Sequence, residues 1–133
     1  MGTRATGTFT IDNWDENPIL ETEGGSKITK AKVSRSFEGD LEGEGTVEWL
    51  MAYDKDDTAT FVGLERIVGS VRGKTGTFAL QHVGTFDGQM SKAELLVVPG
   101  SGTGALSGLS GEGSFEAGLG SDGERSITLD VDV

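Results

Sequence analysis

The sequence predicts an all-β domain, a closed antiparallel barrel of about eight strands. Three observations carry this. Apolar and polar residues alternate with a period of two along most of the chain, as they do in strands that bury one face. No segment shows the apolar stripe of an amphipathic helix. Glycine is abundant and proline scarce, 22 against 2, and the glycines lie among β-formers, where they read as turns and bulges rather than as linker. With 133 residues there is material for one core, so a single domain is expected over residues 1–133.

The elements follow in order. Ala5, Gly7, Phe9 and Ile11 alternate with Thr6, Thr8, Thr10 and Asp12, a half-buried first strand. The stretch from Glu16 to Lys27, with Pro18 and Gly24-Gly25, predicts a long loop holding at most one helical turn, a segment suited to a lid or a mouth. Strands are expected near 28–38, 44–53, 59–72, 75–87, 90–98 and 111–118. The chain ends on Ile127, Leu129 and Val131 alternating with Thr128, Asp130 and Asp132. The run from Leu41 to Glu48 resembles the run from Leu109 to Glu116, and the pair is read as one turn-into-strand device used twice.

Charge and composition exclude several functions. The net charge of −11 repels phosphate backbones and anionic bilayers, so neither nucleic acid nor a membrane is expected as a partner. No apolar run approaches the ~20 residues of a spanning helix. The sequence has no cysteine, which removes disulfides, thiolate catalysis and cysteine-ligated zinc. With no signal-like pattern at the N-terminus, this predicts a cytoplasmic protein. The single histidine excludes two- and three-histidine metal sites, and neither a metal site nor a cofactor is expected.

Two local patterns mimic known sites. Gly73-Lys74-Thr75 looks like a phosphate loop, but Val68 stands where the pattern needs glycine and no helix follows, so a hairpin turn is expected. Asp54 to Thr58 looks like a calcium loop, but Ala59 stands at the sixth position and strands flank it, so it reads as a solvated acidic turn.

One constellation suggests chemistry. A two-residue type II′ turn at Gly73-Lys74 sets Ile67 opposite Leu80, Glu65 opposite His82, Gly63 opposite Gly84 and Phe61 opposite Phe86. If that face is the interior, Glu65 and His82 are an acid–base pair inside the barrel, and they are the candidate catalytic residues. Burial raises the pKa of the acid and lowers that of the base, while their attraction acts the other way. The two glycines leave a gap beside them. The candidate ligand-binding residues are Trp49, Tyr53, Phe61, Gly63, Phe78, Gly84 and Phe86, and a small apolar molecule is the expected ligand. The plainer reading is a structural pair satisfied within a core. Trp14, beside the expected loop, is placed to cap a mouth. The opposite face carries Val62, Leu64, Val68 and Val83, which predicts cover by a partner subunit and hence a homo-oligomer, with a dimer favoured.

The ordered blocks Gly43–Tyr53, Phe61–Arg66, Leu80–Phe86, Val98–Gly104 and Leu109–Gly113 resemble the bacterial domain of unknown function 3224 family over nearly the whole chain. The resemblance implies a barrel like that of allene oxide cyclase, about eight antiparallel strands around a cavity. It implies no reaction and no catalytic residue. Three functions stay open: a cofactor-independent isomerase or cyclase using Glu65 and His82, a non-catalytic binder with the same cavity, and a packed barrel that acts through its outer surface as an oligomer.

Overall fold

The computed structural model describes residues 2–54, 56, 58–118 and 125–132. The elements are β1 (Thr3–Glu21), β2 (Lys27–Gly39), β3 (Leu41–Tyr53), β4 (Ala59–Val71), β5 (Lys74–Phe86), β6 (Met90–Val97), one 3₁₀ turn (Gly104–Leu106), β7 (Ser110–Gly118) and β8 (Arg125–Asp132). Each strand pairs antiparallel with the next, and β8 pairs back onto β1, so the sheet closes into an eight-stranded barrel. Closure leaves few strand edges unpaired. Among the described residues no helix is long and apolar enough to cross a membrane.

The alternation read from the sequence sorts side chains as expected. On β2, Ala31, Val33 and Phe37 are buried, and on β4 Phe61, Glu65 and Ile67 are buried, while Val62 and Leu64 face outward. The base of the barrel is closed by the loop between β6 and β7, where Leu106 and Leu109 are buried and a Cβ on Gly76 would lie 3.3 Å from that of Leu106. The twin sequence runs prove to be one device. Leu41 and Leu109 are both buried, and the first glycine after each, Gly43 and Gly111, has φ of 136° and 144°. A side chain at either would also strike the neighbouring backbone, 2.3 Å from Val68 O and 2.2 Å from Asp130 O.

Two expectations are corrected. The segment from Glu16 to Lys27 is not a long loop. β1 runs to Glu21 and pairs with β2 as far as Glu21↔Lys27, leaving only residues 22–26 as the turn. Among the described residues β8 pairs with β1 over Thr3–Thr8, and no described strand pairs with that side of β1 farther on, where Pro18 needs no ladder donor. A bulge between Ile11 and Asn13 shifts the phase, which turns Trp14 and Glu16 to the side of the inward-facing Val33 and Ala31.

The second correction is the β4–β5 register. The turn is Arg72-Gly73, with φ of 49° and 83°, as a type I′ turn requires, and Val71 faces Lys74. Glu65 therefore faces Leu80, Gly63 faces His82, Phe61 faces Gly84 and Ala59 faces Phe86. A shift of two residues leaves the inward face unchanged but sets Phe61, His82 and Phe86 each opposite a glycine or alanine. Inside a narrow barrel this fills space better, since two rings facing each other would collide. The acidic turn at 54–58 joins β3 to β4 through Asp54 N–H to Thr58 O at 2.8 Å, while Lys55 and Asp57 lie outside the described residues.

The glycines on this face are therefore occupied positions. A Cβ on Gly84 would lie 2.5 Å from Phe61 Cζ and 2.4 Å from Lys92 O, and one on Gly63 would lie 2.6 Å from Trp49 Cδ1 and 2.2 Å from Glu48 O. Gly84→Ala is expected to lower stability by about 1–3 kcal/mol through overpacking. Urea denaturation checks this, and an unchanged midpoint would mean that the interior has slack there.

Candidate functional site

β2, β3, β4 and β5 each bring one polar side chain to the centre of the barrel. Arg35, Glu65 and His82 have no exposed side-chain surface, and Trp49 is 5% exposed. Arg35 Nε donates to Glu65 Oε2 at 2.8 Å, and Arg35 Nη2 donates to Glu65 Oε1, a two-pronged ion pair. His82 Nε2 lies 3.1 Å from Glu65 Oε1, and Trp49 Nε1 donates to His82 Nδ1 at 3.2 Å. An indole N–H only donates, so His82 Nδ1 accepts and the ring proton sits on Nε2, pointing at Glu65. The imidazole is neutral in this arrangement and the four-residue chain carries no net charge.

Burial is the largest influence on both titrating groups. For Glu65 it acts upward, but the Arg35 charge and the hydrogen bonds from His82 and Arg35 outweigh it and hold the carboxyl at about 2. For His82 burial lowers the pKa, and the Arg35 charge adds to this against the pull of Glu65. Protonating Nδ1 would also set one N–H against another at Trp49. The Arg35 guanidinium lies 4.5 Å from the Phe9 ring centre, 4.9 Å from Phe37 and 5.0 Å from Phe115, so aromatic faces supply part of the solvation that water would give.

The expectation that Glu65 and His82 share the interior holds, and they are in direct contact. The expected gap beside them is filled by Trp49 and Phe61. Phe61, Phe78 and Gly84 lie in packed interior and Gly63 is half-buried beside Trp49, with Phe78 opposite Ile67 and 1% exposed. Tyr53 and Phe86 instead line a pocket of about 190 Å³ at the open end, together with Ile11, Trp14, Met51, Ser91, Ala117, Gly118 and Arg125. Trp49 lies under it, its ring centre 5.5 Å from that of Trp14.

Glu16 knits the wall of this mouth. Its Oε1 accepts from Trp14 Nε1 at 2.9 Å, and its Oε2 accepts from Thr29 Oγ1 at 2.6 Å and from Tyr53 OH at 2.7 Å. Burial opposes its ionisation, but these three donors and the nearby Lys27 charge hold its carboxyl below the usual range.

Arg35 was missed by sequence reasoning, although it stands in the apolar phase of β2, between Val33 and Phe37, where a lone charge requires a counter-charge. Glu16 had no such signal, because the bulge that turns it inward is invisible in the alternation. Among the described residues no group of three or more His, Cys, Asp or Glu comes together in a way that would hold a metal ion.

The fold and its centre define a closed eight-stranded barrel with a buried, charge-neutral polar chain and an aromatic mouth. The chain matches the family described as protein of unknown function (DUF3224) over residues 5–130, and it belongs to that family. A crystal structure of a DUF3224 protein of unknown function from Shewanella oneidensis MR-1 superposes with a TM-score of 0.79 at 28% identity, covering 99% of this chain and 98% of that one. No curated protein matches the chain.

Proposed function

We propose that this barrel is a binding module that holds a small apolar molecule in the mouth at its open end. The supporting observation is the pocket of about 190 Å³ walled by Trp14, Met51, Tyr53 and Phe86. Trp14 is 42% exposed there and its N–H is held by Glu16, so its ring presents apolar surface at the mouth. Trp14 and Tyr53 have their polar atoms engaged by Glu16, so what they offer a ligand is shape and apolar contact.

Catalysis by Glu65 and His82 is the weaker reading. Both carboxylate oxygens and both ring nitrogens are engaged, and neither side chain meets solvent. An isomerase or cyclase would need reacting atoms within about 3 Å of one of them. In the binding reading they are positioning residues that fix Trp49 beneath the pocket.

Native mass spectrometry on freshly purified protein, followed by denaturing extraction, tests this. The expected result is a stoichiometric apolar passenger. In Ala117→Leu, which fills the pocket, the passenger is lost, and affinity for added indole falls by about tenfold or more. A chain that purifies empty and leaves its tryptophan fluorescence unmoved by millimolar indole would overturn the reading.

A further inference from the structure

We propose that a second copy of this chain docks on the outer face of β3–β7, in a two-fold dimer where a ridge on each copy fills a groove on the other. The ridge is Leu50, Val62 and Leu64, which are 48%, 46% and 60% exposed. It is contiguous, since Leu50 faces Val62 across β3–β4 and Val62 faces Val83 across β4–β5. Beside it lies a groove of about 750 Å³ whose lining includes Val83, Leu96, Glu94 and Glu112. Val83 and Leu96 are themselves 47% and 46% exposed. Scattered apolar side chains on a surface need no explanation, but five that adjoin one another across four neighbouring strands do.

Charge selects the occupant. Lys32, Glu48 and Arg66 surround Leu64 on the ridge side, with Glu48 paired to Lys30 at 3.2 Å, while Glu94 and Glu112 rim the groove, where Arg4 is paired to Asp130 at 3.0 Å. Ridge and groove are neighbours on one face. A two-fold axis near the Val62–Val83 pair therefore seats each ridge in the other copy's groove. The same operation sets Lys32 and Arg66 of each copy against the acidic rim of the other. A chain with net charge −11 would otherwise repel its own kind, so a basic flank beside an apolar ridge is what self-association requires. A stable pairing covers about 800 Å² of each copy, near a tenth of the 7491 Å² of the chain, and β3–β7 form more than half the barrel wall.

Sedimentation velocity over about 1–100 µM protein tests this, with far-UV circular dichroism to confirm that each variant folds. The wild type is expected to sediment as a dimer that loosens in high salt. Leu64→Glu is expected to raise the dissociation constant by about 30-fold or more. Arg66→Glu weakens the dimer, and adding Glu112→Lys in the same chain restores it, which general destabilisation would not do. A wild type that stays monomeric throughout, or a dimer indifferent to Leu64→Glu, overturns the proposal. A monomer that instead adsorbs to phosphatidylcholine vesicles through this face overturns it as well.

Discussion

Glu65→Leu is expected to destabilise the barrel by about 3–5 kcal/mol, enough to leave a domain of this size marginal. The reason lies in what remains. Arg35 has no exposed side-chain surface, and the ring centres of Phe9 and Phe37 lie 4.5 and 4.9 Å from its guanidinium. Removing the carboxylate strands a cation that cannot lose its proton and cannot reach water. Arg35→Met alone should be milder, because Glu65 can neutralise itself by taking up a proton. The double variant Arg35→Met/Glu65→Leu should recover most of the loss, since an apolar pair of similar volume replaces an ion pair whose desolvation was costly. The recovery is incomplete in a definite way. His82 Nε2–H loses its acceptor, and a buried donor without a partner costs about 1–3 kcal/mol. Urea denaturation of the three variants checks the order. If Glu65→Leu loses less than about 1 kcal/mol, the pair does not carry this part of the core.

The fold was legible because the period-two alternation is a direct consequence of a wall that is wet on one side and dry on the other. Glu65 and His82 were legible for the same reason, as polar residues in an apolar phase. Arg35 carries the same signal and was overlooked because long basic side chains usually reach solvent from such positions. Here β2 has closed barrel wall on both sides, so Arg35 has no way out. The register was mis-set by two residues because Gly73 permits either of two turns. The choice fell to interior volume, which pairs Phe61 with Gly84 and Ala59 with Phe86. That is a three-dimensional constraint with no local signature. The mouth was misread for a related reason. One extra residue near Asp12 turns Trp14 and Glu16 inward, and Pro18 and the glycine pair suggested a long loop, whereas Pro18 sits in β1 on a side that no described strand pairs and Gly24-Gly25 lie in the short turn after it.

Acidification is expected to weaken the barrel in two separable stages, one for each buried titrating group. His82 has its pKa lowered from the ordinary 6.5 by folding. Above 6.5 both states hold it neutral and its favourable burial is fully present. Below 6.5 the unfolded chain binds the proton first, so stability falls as pH drops toward the lowered folded value. Glu65 acts in the same direction at lower pH. Its carboxyl stands at about 2 against 4.5, so the stability tied to its ionised form is complete above 4.5 and is lost as pH falls toward 2. At 1.36 kcal/mol per unit that second stage amounts to about 3 kcal/mol. Glu16, only partly buried at the mouth, adds to the lower stage with a smaller weight because solvent screens it. His82→Gln separates the two. Its side-chain amide still offers an N–H in the direction of Glu65 but does not titrate, so the loss between about pH 6.5 and 5 should vanish while the loss below 4.5 persists. Urea midpoints at a series of pH values for both proteins decide it. A wild type whose midpoint stays level from pH 7.5 to 5 would mean that His82 takes up its proton inside the barrel as readily as outside. The Trp49 hydrogen bond would then not hold the tautomer that links the aromatic mouth to the buried ion pair.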